Sequence, residues 1–258
     1  VRVALACRRG WEGLYLAHRI AATVPLAALI LESGRSARRR KLARLRRKLR
    51  WWQVPRAAAD LLALALYGRW QGAHTRRFVR RALDTGEYPA AGERLAVDDV
   101  NEPACRALLE RLRPEVLVVY GTSLLRAPLI AALEGLILNI HTGIVPAYRN
   151  VHSELWAYLR GDLGRIGVSI LHLDESVDGG AVAAQRVLAL RGDESLAAIR
   201  CANLALAGDL ICELLGRDPA ALERHPQGGE VGFHPTPGAA ELLAVLRRSL
   251  GARFLHKR

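Results

Sequence analysis

Along most of the chain, short apolar runs alternate with stretches of helical spacing. Val1 to Cys7 is β-branched and apolar, the turn-like Arg8-Arg9-Gly10 follows, and Leu14, Ile20 and Ala21 then recur at helical spacing ahead of a second apolar run from Pro25 to Leu31. This predicts a β-α-β opening. From Ser33 to about Thr85 the spacing becomes helical throughout, punctuated by Pro55, Gly68 and Gly72, which predicts an inserted helical segment. Alternation then resumes: strand Arg94 to Val97, helix Pro103 to Leu112 with proline in its first turn, and strand Glu115 to Tyr120 ending in Gly121-Thr122. Further on come strand Leu136 to Ile140, helix Ser153 to Leu159, strand Gly167 to Leu173, strand Ala181 to Leu190, a long amphipathic helix Glu194 to Leu215 and a last helix Pro237 to Leu250. Continuous apolar strands separated by helices predict an α/β fold, a partly parallel sheet covered on both faces.

Composition narrows this little. With 258 residues, 51% of them hydrophobic and 24% charged, the chain suits one large α/β domain, or a somewhat smaller one with an extension. Four cysteines, Cys7, Cys105, Cys201 and Cys212, form no C-x-x-C pair and no His/Cys cluster, so neither a zinc site nor a disulfide framework is expected, and no metal. Reduced thiols, a Val1–Cys7 start that is too short and wrongly flanked for a signal peptide, and no apolar run near the roughly 20 residues of a membrane-spanning helix predict a cytoplasmic protein, soluble or peripherally attached.

Charge changes the picture more. The net +13 is local, because Arg35 to Arg50 holds ten Lys or Arg and no acid, leaving 28 basic against 25 acidic residues elsewhere. Within Arg38 to Arg50, Leu42, Leu45 and Leu49 share one helical face, and Trp51-Trp52 follow. Such a helix can dock on an anionic membrane surface, contact nucleic acid, or pack through its leucines as a solvated helix. Nucleic acid is the least favoured of the three. Ala57 to Tyr67 is apolar nearly all round apart from Asp60, which predicts core or a homodimer interface, with a membrane-facing role as the alternative.

The candidate chemistry sits at two strand ends. Asn139 and His141 are two apart on a strand, so both side chains face one way, and Thr142 to Asn150 continue as a loop. After the next apolar strand comes Leu173-Asp174-Glu175-Ser176-Val177-Asp178-Gly179-Gly180, where the glycines allow a sharp turn that aims Asp178 inward. Acyl transfer to an amine needs a donor for the oxyanion, an acceptor for the amine proton and a proton for the leaving nitrogen. An amide, an imidazole and a carboxylate can supply them without a covalent nucleophile.

The stretch Leu138-Asn139-Ile140-His141 with Pro146-x-Tyr148-Arg149, followed by Gly167-Val168-Ser169-Ile170, Leu173-Asp174, Asp178-Gly179-Gly180 and Gln185, resembles the formyltransferase family. Its members act on glycinamide ribonucleotide, methionyl-tRNA or amino sugars. The resemblance implies a Rossmann-like, mixed and largely parallel sheet with helices on both faces: a catalytic domain over 1–190, the basic helical insertion at 33–85, and a C-terminal helical extension over 191–258. It implies Asn139, His141 and Asp178 as catalytic residues. It further implies 10-formyltetrahydrofolate as co-substrate, lying against Gly121, Thr122, Ser123, Leu124 and Leu125 and against the loop from Asp174 to Val177. Arg8, Arg9, Tyr148, Arg149 and His152 are the candidates for contact with the acceptor. The family's Ser-Leu-Leu-Pro after its histidine is Thr142-Gly143-Ile144-Val145-Pro146 here, and its glycine after Tyr-Arg is Asn150; both departures lie on the acceptor side. The stretch from Pro219 onward is short for the added β-barrel of tRNA-formylating members, and the turn at Arg8-Arg9-Gly10 is poor in glycine for glycinamide ribonucleotide. The expected acceptor is therefore a primary amine on an amino sugar or sugar nucleotide. A hydrolase releasing formate from the same folate and a non-enzymatic docking module are the alternatives.

Overall fold

A computed structural model describes residues 1–36, 39, 43, 50–174 and 176–255. Most of the basic run Arg38 to Arg50 lies outside the described residues.

Seven strands form one sheet in the order β3-β2-β1-β4-β5-β6-β7: β1 (Val3–Arg8), β2 (Leu26–Glu32), β3 (Glu93–Val97), β4 (Val116–Tyr120), β5 (Leu136–His141), β6 (Gly167–His172) and β7 (Val182–Val187). The first five are parallel to one another; β6 and β7 pair antiparallel. The fold is α/β, a mixed and mostly parallel sheet. The helices are α1 (Trp11–Thr23), α2 (Val54–Ala82), α3 (Pro103–Leu112), the single turn α4 (Ala127–Ile130), α5 (Ser153–Arg160), α6 (Leu196–Leu215) and α7 (Ala239–Leu255).

The strands read as apolar runs because both sheet faces are covered. Val3, Leu5 and Cys7 of β1 point into a core with α1, α6 and Val79 of α2, while Ala4 and Ala6 point the other way, towards Cys105, Leu108 and Leu109 of α3. Period-two alternation thus serves two cores. A third cluster joins Tyr67 of α2, Leu155 and Tyr158 of α5, Ile199 of α6 and Leu242 and Val245 of α7.

Three expectations need correction. The long helix α6 is not amphipathic: only Ala198, Asp209 and Glu213 are exposed along it, because α1, α2, α5, β6 and β7 pack around it. Its Leu204, Leu210 and Ile211 belong to the same core as β1, so a boundary at residue 190 would cut the α/β body. The segment Ala57 to Tyr67 is core on one side only: Tyr67 is buried in the third cluster, while Leu61, Leu62 and Leu66 are exposed.

The chain runs outward from β1 to β2 to β3 and then returns to the other side of β1 as β4. The carboxyl ends of β1 and β4 therefore flank a topological switch point, where open α/β sheets leave a crevice for ligands.

Candidate active site

A cavity of about 720 Å³ opens at that switch point. It is lined by the turn after β1 (Arg8 to Gly13), the loop after β4 (Gly121 to Leu125), the end of β5 (Asn139 to Thr142), the loop after β6 (Ser176 to Gly180) and, from the insertion, Leu64, Tyr67, Gly68, Gln71, Gly72 and Thr75 of α2.

Asn139, His141 and Asp178 meet on one wall. Asn139 Nδ2 donates to Asp178 Oδ1 at 3.1 Å, and His141 Nδ1 lies 3.4 Å from Asp178 Oδ2. On its other side the His141 ring donates from Nε2 to the Tyr148 carbonyl at 2.7 Å, with the Ser153 hydroxyl 3.2 Å from the same nitrogen. With Nε2–H committed to a carbonyl, Nδ1 is the nitrogen left facing the carboxylate. Asn139 uses one amide hydrogen on Asp178 and keeps a second for a ligand oxygen.

Asp178 reaches this position by its own backbone. It is Asp178 that has a positive φ of 49°, and Asn150 N–H donates to its Oδ2 at 2.9 Å. The glycines that follow are required for room: a Cβ on Gly180 would collide with the His172 carbonyl oxygen. Gln227 then clamps the loop, donating from Nε2 to the carbonyls of Asp178 (2.9 Å) and Gly180 (2.7 Å).

The two departures from the family pattern have local reasons. Asn150 holds a φ of 76°, a left-handed conformation that asparagine tolerates nearly as glycine does, and its side chain donates to the His234 carbonyl at 2.7 Å. Gly143 lies against the His141 ring, where a Cβ would sit 2.6 Å from His141 Nε2 and 2.5 Å from Ser153 Cβ. Gln185 anchors the loop between them, donating to Ser169 Oγ (2.8 Å), which in turn donates to the Gly143 carbonyl (2.6 Å).

The remaining sequence candidates divide into those at the cavity and those behind it. Gly121, Thr122, Ser123, Leu124, Leu125, Asp174 and Val177 all line it, as do Arg8, Arg9 and His152. Tyr148 and Arg149 do not. Tyr148 is buried with its hydroxyl on Asp162 (3.0 Å), and Arg149 turns to Gln227 Oε1 (2.6 Å), so both shape the wall from behind and neither lines the cavity. Both are spent on neighbours that sequence spacing does not reveal. His172 Nε2 donates to the Glu223 carbonyl (2.9 Å).

Two groups were not singled out from sequence. Glu32, fully buried at the end of β2, accepts from Ser123 N–H (3.0 Å), Ser123 Oγ (3.1 Å) and Val100 N–H (2.9 Å), fixing the loop after β4. Arg200 of α6 lines the cavity and bridges two carboxylates, Glu154 Oε1 at 2.6 Å and Glu12 Oε1 at 2.9 Å, while Tyr120 OH donates to Glu12 Oε2 at 3.1 Å. Burial alone would raise the Glu12 carboxyl; the charge and hydrogen bond of Arg200, with the Tyr120 hydroxyl, outweigh it and hold Glu12 below its ordinary value. Burial, with the two carboxylates nearby, pushes the Tyr120 phenol well up, so it stays a donor. Burial likewise pushes the Cys7 and Cys105 thiols up to about 12, which leaves them inert as nucleophiles. Among the described residues no cluster of His, Cys, Asp or Glu could hold a metal ion.

A seven-stranded mixed sheet with an Asn-His-Asp wall at its switch point defines the class. A family profile described as formyl transferase matches residues 79–210, just over half of the chain, and the chain belongs to that family. Methionyl-tRNA formyltransferase of Anaeromyxobacter dehalogenans is 31% identical over 159 residues, covering 61% of this chain and 48% of that protein. The enzyme of that name from Roseiflexus castenholzii is 34% identical over 136 residues, covering 52% and 43%. The chain thus spans about half the length of these relatives, or less. Among solved structures, a sugar N-formyltransferase from a Shewanella species superposes with a TM-score of 0.58 over 96% of this chain and 88% of that one at 14% identity. Glycinamide ribonucleotide transformylase 1 of Symbiobacterium toebii gives 0.52 over 83% and 84% at 18% identity. Identities that low speak to the shared fold.

Proposed function

We infer that this chain transfers a formyl group from 10-formyltetrahydrofolate to the primary amine of a small molecule, an amino sugar or a sugar nucleotide. The observation that carries the reading is the convergence of Asn139 and His141 on Asp178, at 3.1 Å and 3.4 Å, on the wall of a cavity large enough for two reactants.

The amine nitrogen attacks the formyl carbon, forming a C–N bond and a tetrahedral oxyanion. The spare Asn139 amide hydrogen and a protonated His141 Nδ1 are the donors within reach of that oxygen. The His141–Asp178 pair takes the proton that the attacking nitrogen sheds and returns one to N10 of the folate as the C–N10 bond breaks, so formylated amine and tetrahydrofolate leave with charge balanced.

The folate side is supported by the loop Gly121 to Leu125, whose backbone Glu32 holds in place. The other side is supported by polar density: Glu12, Glu154, Arg200, His152, Gln71 and Thr142 line it, a wall that suits a polyhydroxylated acceptor better than an apolar one. Arg8 and Arg9 at the turn after β1 add positive charge for an anionic substituent.

The test incubates purified protein with 10-formyltetrahydrofolate and a panel of amino sugars and their nucleotide conjugates, following tetrahydrofolate release and formylated product together. Product is expected from the wild type, with kcat reduced about 10²- to 10⁴-fold in His141→Ala and Asp178→Asn. Formate released at the same rate with and without amine would replace the transferase reading with a hydrolase. No turnover together with no folate binding would overturn both.

A further inference from the structure

Trp51 and Trp52 lead into α2, and the first half of that helix turns an apolar face outward. Val54, Ala58, Leu61, Leu62, Ala65 and Leu66 are all exposed, Leu62 at 62% and Trp51 at 81%. At 3.6 residues per turn these positions lie along one side of the helix. The exposed charges beside them are Arg50, Arg56 and Arg69, with the Arg50 guanidinium 5.1 Å from the Trp52 ring. Asp60 is the one acid in α2, and it faces inward, its Oδ1 accepting from Ala239 N–H at 2.7 Å. Immediately upstream in sequence, Arg35 to Arg50 adds ten Lys or Arg without an acid, and the second half of α2 adds exposed Arg76, Arg77, Arg80 and Arg81.

We propose that this face docks on an anionic phospholipid bilayer, with Trp51, Trp52, Leu62 and Leu66 entering the boundary between headgroups and acyl chains. The chemistry is that of an interfacial helix: an apolar side, cationic flanks and indole rings, which favour the level of the headgroups. No helix among the described residues is long and apolar enough to cross a membrane, so the contact is lateral. A second copy of the chain fits less well, because a two-fold contact through this face would set like-charged segments against each other. The adjoining stripe of the same helix, Leu64, Gly68, Gln71 and Thr75, lines the cavity. Docking would therefore bring the acceptor side near the headgroup plane; that corollary rests on the transfer reading, whereas vesicle binding reads the docking without it.

Flotation of the full chain with vesicles of phosphatidylcholine, alone or mixed with phosphatidylglycerol, tests the proposal. Partition at least about tenfold stronger onto the anionic vesicles is expected, weakening as salt is raised. The double variant Leu62→Glu, Leu66→Glu, both positions being exposed, should keep the wild-type circular dichroism and lose the binding. Trp51→Ala with Trp52→Ala should weaken it too. Failure of the wild type to float with either vesicle overturns the proposal, as does binding undiminished in the Leu62/Leu66 variant. Concentration-dependent self-association, or capture of an acidic protein, abolished by that variant while vesicles are ignored would reassign the face.

Discussion

Arg200 donates from Nη1 to Glu154 Oε1 at 2.6 Å while its Nε reaches Glu12 Oε1 at 2.9 Å, so one guanidinium holds two carboxylates from α5 and α1 beside the cavity. Removing it takes from Glu154, 2% exposed, and from Glu12 the guanidinium that holds both. Arg200→Met is expected to lower the unfolding free energy by about 3 kcal/mol, measured in urea at neutral pH. Arg200→Lys should recover only part of it, since a single ammonium cannot reproduce the fork that spans both acids. A loss under about 1 kcal/mol in Arg200→Met would mean that the two acids are solvated without it.

The same cluster makes a pH prediction. Glu12 is held below its ordinary 4.5 in the folded state, so its contribution is fully present above that pH and is lost as pH falls through the lower folded value. Wild-type stability should therefore decline more steeply below pH 4.5 than that of Glu12→Gln. Denaturant midpoints on both sides of that pH measure the difference; parallel curves would show that Glu12 titrates alike in the folded and unfolded chain.

How much of this was legible beforehand follows from where the information sits. β1, β4 and β5 could be read because strands buried on both faces carry uninterrupted apolar runs, and Asn139 with His141 because two residues apart on a strand means one side. Glu32 and Arg200 could not. Glu32 is the one charged residue of β2 and Arg200 the one basic residue of α6, and the meaning of each comes from partners far away in sequence, Ser123 for one and Glu12 for the other. The outward face of α2 stays open between core, a homodimer interface and a membrane for a related reason: an apolar helix has the same pattern whether its neighbour is core or something outside the chain. Tyr148 and Arg149 were placed at the acceptor by resemblance, yet their side chains are spent on Asp162 and Gln227.

Gln227 is a support of the Asp178 loop that spacing does not reveal. Its amide nitrogen holds the Asp178 and Gly180 carbonyls, and its oxygen accepts from Arg149 Nε (3.1 Å) and Nη2 (2.6 Å). Gln227→Ala should lower kcat for formyl transfer about tenfold or more while the KM for the acceptor stays near wild type, because the carboxylate loses its aim and the acceptor wall is untouched. Gln227→Glu should be no better, since an ionised carboxylate would face two carbonyl oxygens. A rise in KM with kcat unchanged would place Gln227 in acceptor binding instead.

Gly143 offers the sharpest check on the histidine. A methyl group there would come within 2.6 Å of His141 Nε2 and 2.5 Å of Ser153 Cβ, and the ring can yield only by leaving the Tyr148 carbonyl that it meets at 2.7 Å. Gly143→Ala is expected to cost about 10² in kcat, the scale of a displacement near 1 Å at a reacting group, with folate binding retained because the loop after β4 is not touched. Adding Ser153→Gly removes one of the two collisions, so the double variant should regain part of the lost rate, which a general unfolding would not allow. If Gly143→Ala turns over within about threefold of wild type, the ring has room to move, and the fixed His141–Asp178 geometry is not what sets the rate.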